Sequence, residues 1–276
     1  MNTSVSASDF DIVIAGGGMI GMSMALAIAS LNLRIAVVER VQRDQLQQPS
    51  FDDRSTALSR SSQSMFQALG LWDEILSAST PIQSIHVSDR GKFGFAHITA
   101  KEQNVEALGY VVINRILGEV LMKHAEMHEN VSFYCPAKVT SIEHQQEHSS
   151  VILDSGESLS CKLLIGADGT DSKVREYLGI GVTQTDYEQV AIIGNIVTEK
   201  PIMNRAYERF SESGPLALLP IQDNRTAFIW IVSNDEKKKL MKLGDDAFIL
   251  AMQEVFGLRL GQFKHLGTVS YTHLRA

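Results

Sequence analysis

The chain has 276 residues, 44% hydrophobic and 21% charged, which suits one large domain or two modest ones with a sizeable apolar core. Lys and Arg number 25 against 32 Asp and Glu, a formal net charge of −7 with the acids dispersed and no basic patch in the sequence; that pattern speaks against a nucleic-acid binder. Cys135 and Cys161 form no C-x-x-C pair and no zinc spacing, so they read as reduced core thiols of a cytoplasmic protein, and the amino terminus lacks the positive n-region of a signal peptide.

Residues 12–31, IVIAGGGMIGMSMALAIASL, run for twenty positions without a charge, the length of a membrane-spanning helix. The inside of the stretch reads differently. Ile12-Val13-Ile14-Ala15 is a short β-branched run, typical of a buried strand. Gly16-Gly17-Gly18 breaks any helix there, and helix-favouring residues follow from 19 to 31. A second apolar strand covers 34–38 and ends in Glu39. The unit 11–39 is therefore a βαβ carrying Gly16-x-Gly18-x-x-Gly21, with an acid 23 residues after the first glycine. That is the dinucleotide-binding fingerprint in the context it requires. Gly16 allows the tight turn, Gly18 a close approach of pyrophosphate, and Gly21 close helix–strand packing. The helix N-terminus offers N–H groups and a positive dipole end to phosphate. Glu39 is placed to accept hydrogen bonds from a ribose.

Residues 51–70 begin as a polar loop and become a helix stopped by Gly70, with Arg54 and Arg60 near its start. Residues 82–89 alternate, Arg90-Gly91-Lys92 turns, and 93–98 follows, a β-hairpin pattern. Asn114 is a good N-cap for a helix over 115–128. Strands over 137–143, 151–153 and 159–165 predict a β-meander, the kind of antiparallel insert that covers one face of a parallel sheet. The third of these runs into Gly166-Ala167-Asp168-Gly169, then a helix over 173–178, which sets Asp168 at the carboxyl end of a strand, where α/β sheets bind ligands. Asp168 also reads as a plain turn former, with Asp171 or Ser172 capping the helix. After Gly181 the chain is β-rich: strands over 190–197, 217–219 and 226–232 and an amphipathic helix over 245–256 predict a second, mostly antiparallel domain.

The pairs His124/His128 and His144/His148 have i, i+4 spacing but no H-E-x-x-H acid, so no metal site is expected. No G-x-S-x-G elbow supports a serine hydrolase.

Three segments, IVIAGGGMIG with Glu39, DDRSTALS and LLIGADGTDSKVR, together resemble the single-component flavoprotein aromatic hydroxylases, whose fold is that of para-hydroxybenzoate hydroxylase. IHVSDRGKFGF, YEQVAIIGNIV and AYERFSESGPLALLP resemble the ubiquinone-biosynthesis branch of that family. The resemblance implies an α/β fold: a Rossmann-like FAD-binding domain with a β-meander insert over 1–80 and 106–181, and a β-rich substrate domain over 82–105 and 182–270. It places Gly16, Gly18, Gly21 and Glu39 on the adenosine diphosphate of FAD, Arg54 on the FAD phosphates, Arg115 near the ribityl chain, and Asp168 and Gly169 at the family's DG pair. It implies NAD(P)H as reductant, O2 and a polyprenylated phenol as substrates, a flavin C4a-hydroperoxide as oxygen donor, and peripheral association with a membrane or a biosynthetic complex. No catalytic base is singled out. The family's third motif, a G-D-A-A-H-like run followed by proline and glycines, is absent, and residues 271–276 form an atypical tail. The expectation is a chain lacking the last third of the enzyme. Two alternatives stay open: an NAD-dependent dehydrogenase on the same βαβ, and an inactive nucleotide-binding fragment.

Overall fold

The structure is a computed structural model that describes residues 9–42, 54–222 and 225–267, and the backbone course of 270–275. In chain order the elements are β1 (Phe10–Ala15), α1 (Met19–Ala29), β2 (Ile35–Val38), β3 (Ser55–Leu58), α2 (Arg60–Ala68), α3 (Trp72–Ser77), β4 (Ser79–Ile82), β5 (Ser84–Asp89) and β6 (Phe95–Thr99). Then come β7 (Gly109–Ile113), α4 (Asn114–Glu126), β8 (Val131–Tyr134), β9 (Val139–His144), β10 (Ser149–Leu153), β11 (Ser158–Gly166) and α5 (Lys173–Tyr177). The last third holds β12 (Asp186–Thr198), β13 (Arg205–Phe210), β14 (Leu216–Pro220), β15 (Thr226–Ser233), α6 (Asn234–Leu240), α7 (Asp245–Phe256), β16 (Phe263–Leu266) and β17 (Ser270–Arg275). They form two compact units: Met1–Asp53 with Ala68–Leu71 and Asn114–Val182, and Arg54–Gln67 with Trp72–Ile113 and Thr183–Ala276.

The first unit is built on a six-stranded sheet in the order β8-β2-β1-β11-β10-β9. β8, β2, β1 and β11 run parallel, while β11, β10 and β9 alternate in direction. Ile12 to Ala15 and all of β2 are buried, which is why these strands read as unbroken apolar runs: a parallel strand is covered on both faces. α1 packs against α4 and against β2. On the other side, Val13, Ala15, Ala36 and Val38 share a core with Val139, Val151, Leu153 and Leu159 of the meander. The meander thus does two things at once. It prolongs the parallel sheet through β11, and its inward side chains close over one face. The uncharged stretch at 12–31 resolves into β1, a glycine turn and α1 of 11 residues. Among the described residues no helix is long and apolar enough to cross a membrane.

The second unit has an eight-stranded sheet, β16-β12-β15-β14-β13-β5-β6, with β17 also on β12. Pairing is antiparallel except between β13 and β5. α7 buries Phe248, Met252 and Phe256 against Ile192, Leu216, Phe228 and Trp230 on one face. On the opposite face Ala206 and Ala227 meet Ile82 and Val111. β3, β7 and β4 make a separate antiparallel sheet, so most of 54–80 and all of 109–113 group with this unit, where the sequence division had placed them with the nucleotide-binding part. β3 forms where the sequence predicts a polar loop, and the helix expected at 115–128 begins at Asn114 itself.

Candidate cofactor site

Three strand ends of the first unit converge. β1 ends in the glycine turn, β2 in Glu39, and β11 in the Gly166–Ser172 turn. All three are carboxyl ends of parallel neighbours, and β2 and β11 flank β1 on opposite sides, so connections leave in opposite directions at β1. Open α/β sheets bind ligands at such a switch point. An open groove of about 870 Å³ lies there, lined by Gly16, Gly18, Glu39, Asp168, Gly169 and Arg175 among others.

The glycines are demanded by contact. Gly16 has φ +106°, and a Cβ there would lie 2.2 Å from the Ala167 carbonyl oxygen, so the two turns touch backbone to backbone. The Gly16 N–H donates to Val38 O at 2.7 Å and the Ala167 N–H donates to Ala15 O at 2.7 Å. A Cβ on Gly21 would sit 1.8 Å from Gly16 O, which brings α1 directly onto the turn. Gly17, a free position in the fingerprint, is equally constrained: its Cβ would lie 2.8 Å from Glu39 Cβ. Sequence reasoning missed Gly17, and the unusual triple glycine was the signal available. Gly18 occupies the N-cap of α1 in extended conformation and brings no side-chain acceptor. The start of α1 thus borders the groove with no side-chain cap from Gly18, and a helix N-terminus so placed suits an anion.

Glu39 is held rigidly. Its Oε2 accepts the Gly17 N–H at 2.7 Å and its Oε1 accepts the Val41 N–H at 2.8 Å. A carboxylate has about four acceptor positions, so two bonds leave capacity for ribose hydroxyls. Asp168 is also engaged. Oδ1 accepts from the Ser172 hydroxyl, and Oδ2 accepts the N–H groups of Lys173 at 2.6 Å and Val174 at 3.3 Å. Ser172 Oγ accepts the Arg175 N–H at 3.1 Å. Asp168 thus lines the groove and, with Ser172, caps α5. Arg175 Nη2 donates to Thr170 O at 2.7 Å, which folds the turn back on itself. Gly169, at φ +84° with nothing within 4 Å of its Cβ position, leaves the groove wall open.

Two further candidates are not among the residues lining this groove. Arg115 stands on α4, where it pairs with Glu119 at 3.0 Å, and it is not part of the groove lining. Arg54 opens the second unit, immediately before β3. In that unit, Leu216, Leu218, Phe228 and Trp230 belong to the core under α7. Glu208, Ala217 and Ile229 are directly opposed on β13, β14 and β15 and so share the other face. Desolvation pushes the Glu208 carboxyl above the usual carboxylate range. Among the described residues it has no hydrogen-bond or ion-pair partner.

A βαβ with its glycine turn, an acid clamped at the second strand and a second turn in contact across the switch point define a dinucleotide-binding protein. The chain matches the model of the FAD binding domain over residues 9–271 and belongs to that family; its cofactor is FAD. The dehydrogenase alternative falls away with that match. Ubiquinone hydroxylase UbiL of Rhodospirillum rubrum is 30% identical over 257 residues, covering 93% of this chain and 60% of that protein. The 3-demethoxyubiquinol 3-hydroxylase of Escherichia coli is 29% identical over 255 residues, covering 91% and 64%. The chain thus spans less than two thirds of the length of these relatives. Among solved structures, PqsL of Pseudomonas aeruginosa in complex with 2-aminobenzoylacetate superposes with TM-score 0.73 at 20% identity, covering 92% of this chain and 72% of that one. A variant of HpxO from Klebsiella pneumoniae complexed with FAD gives TM-score 0.74 at 16% identity, covering 96% and 69%. The fold expected from sequence, a Rossmann-like part with a meander and a β-rich part, is the fold these structures share.

Proposed function

We propose that the protein is an FAD-dependent monooxygenase that consumes NAD(P)H and O2 and hydroxylates a polyprenylated phenol in ubiquinone biosynthesis. The observation that carries this reading is the groove at the carboxyl ends of β1, β2 and β11, together with relatives named as ubiquinone hydroxylases. The start of α1, entered through Gly18, holds the pyrophosphate, while the Gly16 and Gly17 N–H groups fix the turn through Val38 and Glu39. Glu39 holds the adenosine ribose. Asp168 keeps α5 in place, so that the Gly169 turn presents its backbone to the cofactor. Arg54 and Arg115 are assigned to the phosphates and ribityl chain on the strength of the resemblance alone. Bound flavin supplies reduction and oxygen activation; the protein supplies position and a dry surface.

The apolar face of β13–β15 that bears Ala217 and Ile229 suits an aromatic ring and prenyl chain. Glu208 is the single carboxyl at the Val87–Glu208–Ala217 cross-strand row, where a phenolic hydroxyl has a hydrogen-bond partner. Peripheral binding to a membrane, where such a substrate resides, fits the reading.

The test begins with the visible spectrum of the purified chain after incubation with FAD and removal of excess. A retained flavin spectrum, lost in Gly18→Val, supports the assignment. A colourless protein that binds NAD instead overturns it. The substrate is then tested by NAD(P)H oxidation coupled to hydroxylated product, with a short-chain prenyl phenol as probe.

A further inference from the structure

The second unit holds a group of cations that the proposed chemistry does not use. On β5, β13 and β6, His86 stands opposite Tyr207 and His97, and Ser88 stands opposite Arg209 and Phe95. Directly opposed residues share a face, so these six side chains rise from one side of the sheet. The floor is Ser88, which is buried. Its hydroxyl oxygen accepts from Arg209 Nη1 at 3.2 Å and from Arg259 Nη1 at 3.3 Å. Arg209 Nε donates to Val255 O at 2.8 Å, which fixes that guanidinium against the end of α7. Arg259 follows Gly257, the C-cap of α7, and also meets Nε2 of His86.

Two guanidiniums therefore converge on one neutral oxygen. Among the described residues neither makes an ion pair with a carboxylate. Asp89, the acid that acts on Arg209, is itself paired with Lys92 at 2.7 Å. Arg90 and Arg205 add positive charge, and burial together with Arg259, His97, Arg205 and Arg209 holds the His86 imidazole below its usual range. Glu208 of the same strand lies on the opposite face by strand alternation. In a chain of net charge −7 this concentration of unpaired cations is a local reversal of sign. Like charges at such spacing repel, and Arg presents a planar fork of donors matched to tetrahedral and planar oxyanions.

We propose that this face of the second unit is a binding site for a phosphate-class oxyanion, seated between Arg209, Arg259 and His86 above the Ser88 hydroxyl. The anion bridges both guanidiniums and displaces the Arg259–His86 contact. The group recognised is a phosphoryl oxygen set, carried either by a soluble phosphate compound or by a lipid headgroup. Phe95, opposed to Ser88, stands beside it, and both Phe95 and Phe93 of the same hairpin are exposed.

The experiment uses the full chain saturated with FAD, so that the cofactor groove does not compete. Inorganic phosphate is titrated while the ring C–H resonances of His86 are followed by NMR. A saturable shift of His86, with the apparent Kd raised at least tenfold in Arg259→Gln, supports the site and a soluble ligand. Co-sedimentation with phosphatidate vesicles but not phosphatidylcholine vesicles, lost in Arg259→Gln, supports the site with a headgroup as its source. Arg259 is exposed, so the variant keeps the fold, and far-UV circular dichroism checks this. Phosphate and vesicle binding that are absent, or equal in wild type and Arg259→Gln, overturns the proposal. Arg259 is not part of the cofactor groove, so the visible spectrum of bound flavin is read separately from these outcomes.

Discussion

Asp11 and Glu208 are carboxyl groups with opposite proton linkage. Asp11 sits at the amino end of β1, where its Oδ1 meets Lys162 Nζ at 2.8 Å and its Oδ2 accepts the Arg34 N–H at 2.9 Å. These partners, Lys162 first, lower its pKa from 3.8 to about 2. A depressed folded pKa adds stability that is present above pH 3.8 and lost as the pH falls toward 2. Asp11→Asn is therefore expected to flatten the loss of stability between pH 4 and pH 2 in urea titrations, with less change in slope above pH 5. Glu208 is raised by desolvation, so its burial costs stability as the pH rises through its folded value. Glu208→Gln is expected to stabilise the protein at pH 7 and to be nearly neutral at pH 4. Loss of product formation in the same variant, with FAD retained, would tie the residue to the phenol. Gly17 belongs to this scale too. Gly17→Ala pushes a methyl to 2.8 Å from Glu39 Cβ, which displaces the clamped carboxylate. FAD affinity is expected to fall about tenfold, a loss of ~1.4 kcal/mol, read by equilibrium dialysis.

α5 has five residues, too few to persist by propensity, and it owes its start to side chains. Asp168 and Ser172 together take the N–H groups of Lys173, Val174 and Arg175. Asp168→Ala is expected to cost about 1–2 kcal/mol in chemical denaturation, the range of a lost N-cap. Asp168→Asn keeps an acceptor for Lys173 and a donor for Ser172 and should cost less than half as much. If FAD binding follows stability across the two variants, Asp168 acts through α5. If Asn abolishes binding while keeping stability, its charge acts on the cofactor directly. The sequence declared the strand–turn–helix units because glycine and β-branched residues punctuate them: β1, α1, β2, β11 and α5 all lie where their residues place them. The elements that stayed hidden are those whose pairing is remote. β13, RAYERF, is half polar and pairs in parallel with β5 some 120 residues earlier, which no local periodicity encodes. β8 is four residues long and joins the edge of the parallel sheet. The site divided in the same way. Gly16, Gly18, Gly21 and Glu39 were legible from spacing. Gly17 became visible only through its contact with Glu39, and the Arg209–Arg259 pair only once strands from distant parts of the chain were side by side.

At the scale of the molecule, binding and stability are one equilibrium. FAD present at 100 times its Kd stabilises the folded chain by ~2.7 kcal/mol, provided the unfolded chain does not bind it. Cys161 offers a local readout, because it is fully buried in β11 opposite Phe10 of β1 and burial pushes its thiol up. Its labelling by a thiol reagent needs the first unit's sheet to open. That rate is expected to fall about 100-fold at saturating FAD. Labelling of Cys135, which is only half-buried, serves as the internal reference. A rate for Cys161 that ignores FAD would place the cofactor outside the unit that holds this sheet.

β11 is at once the parallel neighbour of β1 and the last strand of the meander. Its direction fixes the poles of the sheet. The cofactor groove collects at the end where β11 leaves, at Gly166, and the turn that feeds β11, residues 154–157, starts at Asp154, which exchanges hydrogen bonds with Lys138 of the groove lining. Gly156 in that turn has φ +86° and open space where a side chain would go. The exposed tip of the turn, at Ser155 and Gly156, is thus an attachment point that leaves the Asp154–Lys138 bonds in place. A fluorescent peptide tag spliced between Ser155 and Gly156 should leave flavin retention intact, and immobilising the protein by that tag presents the groove to solution.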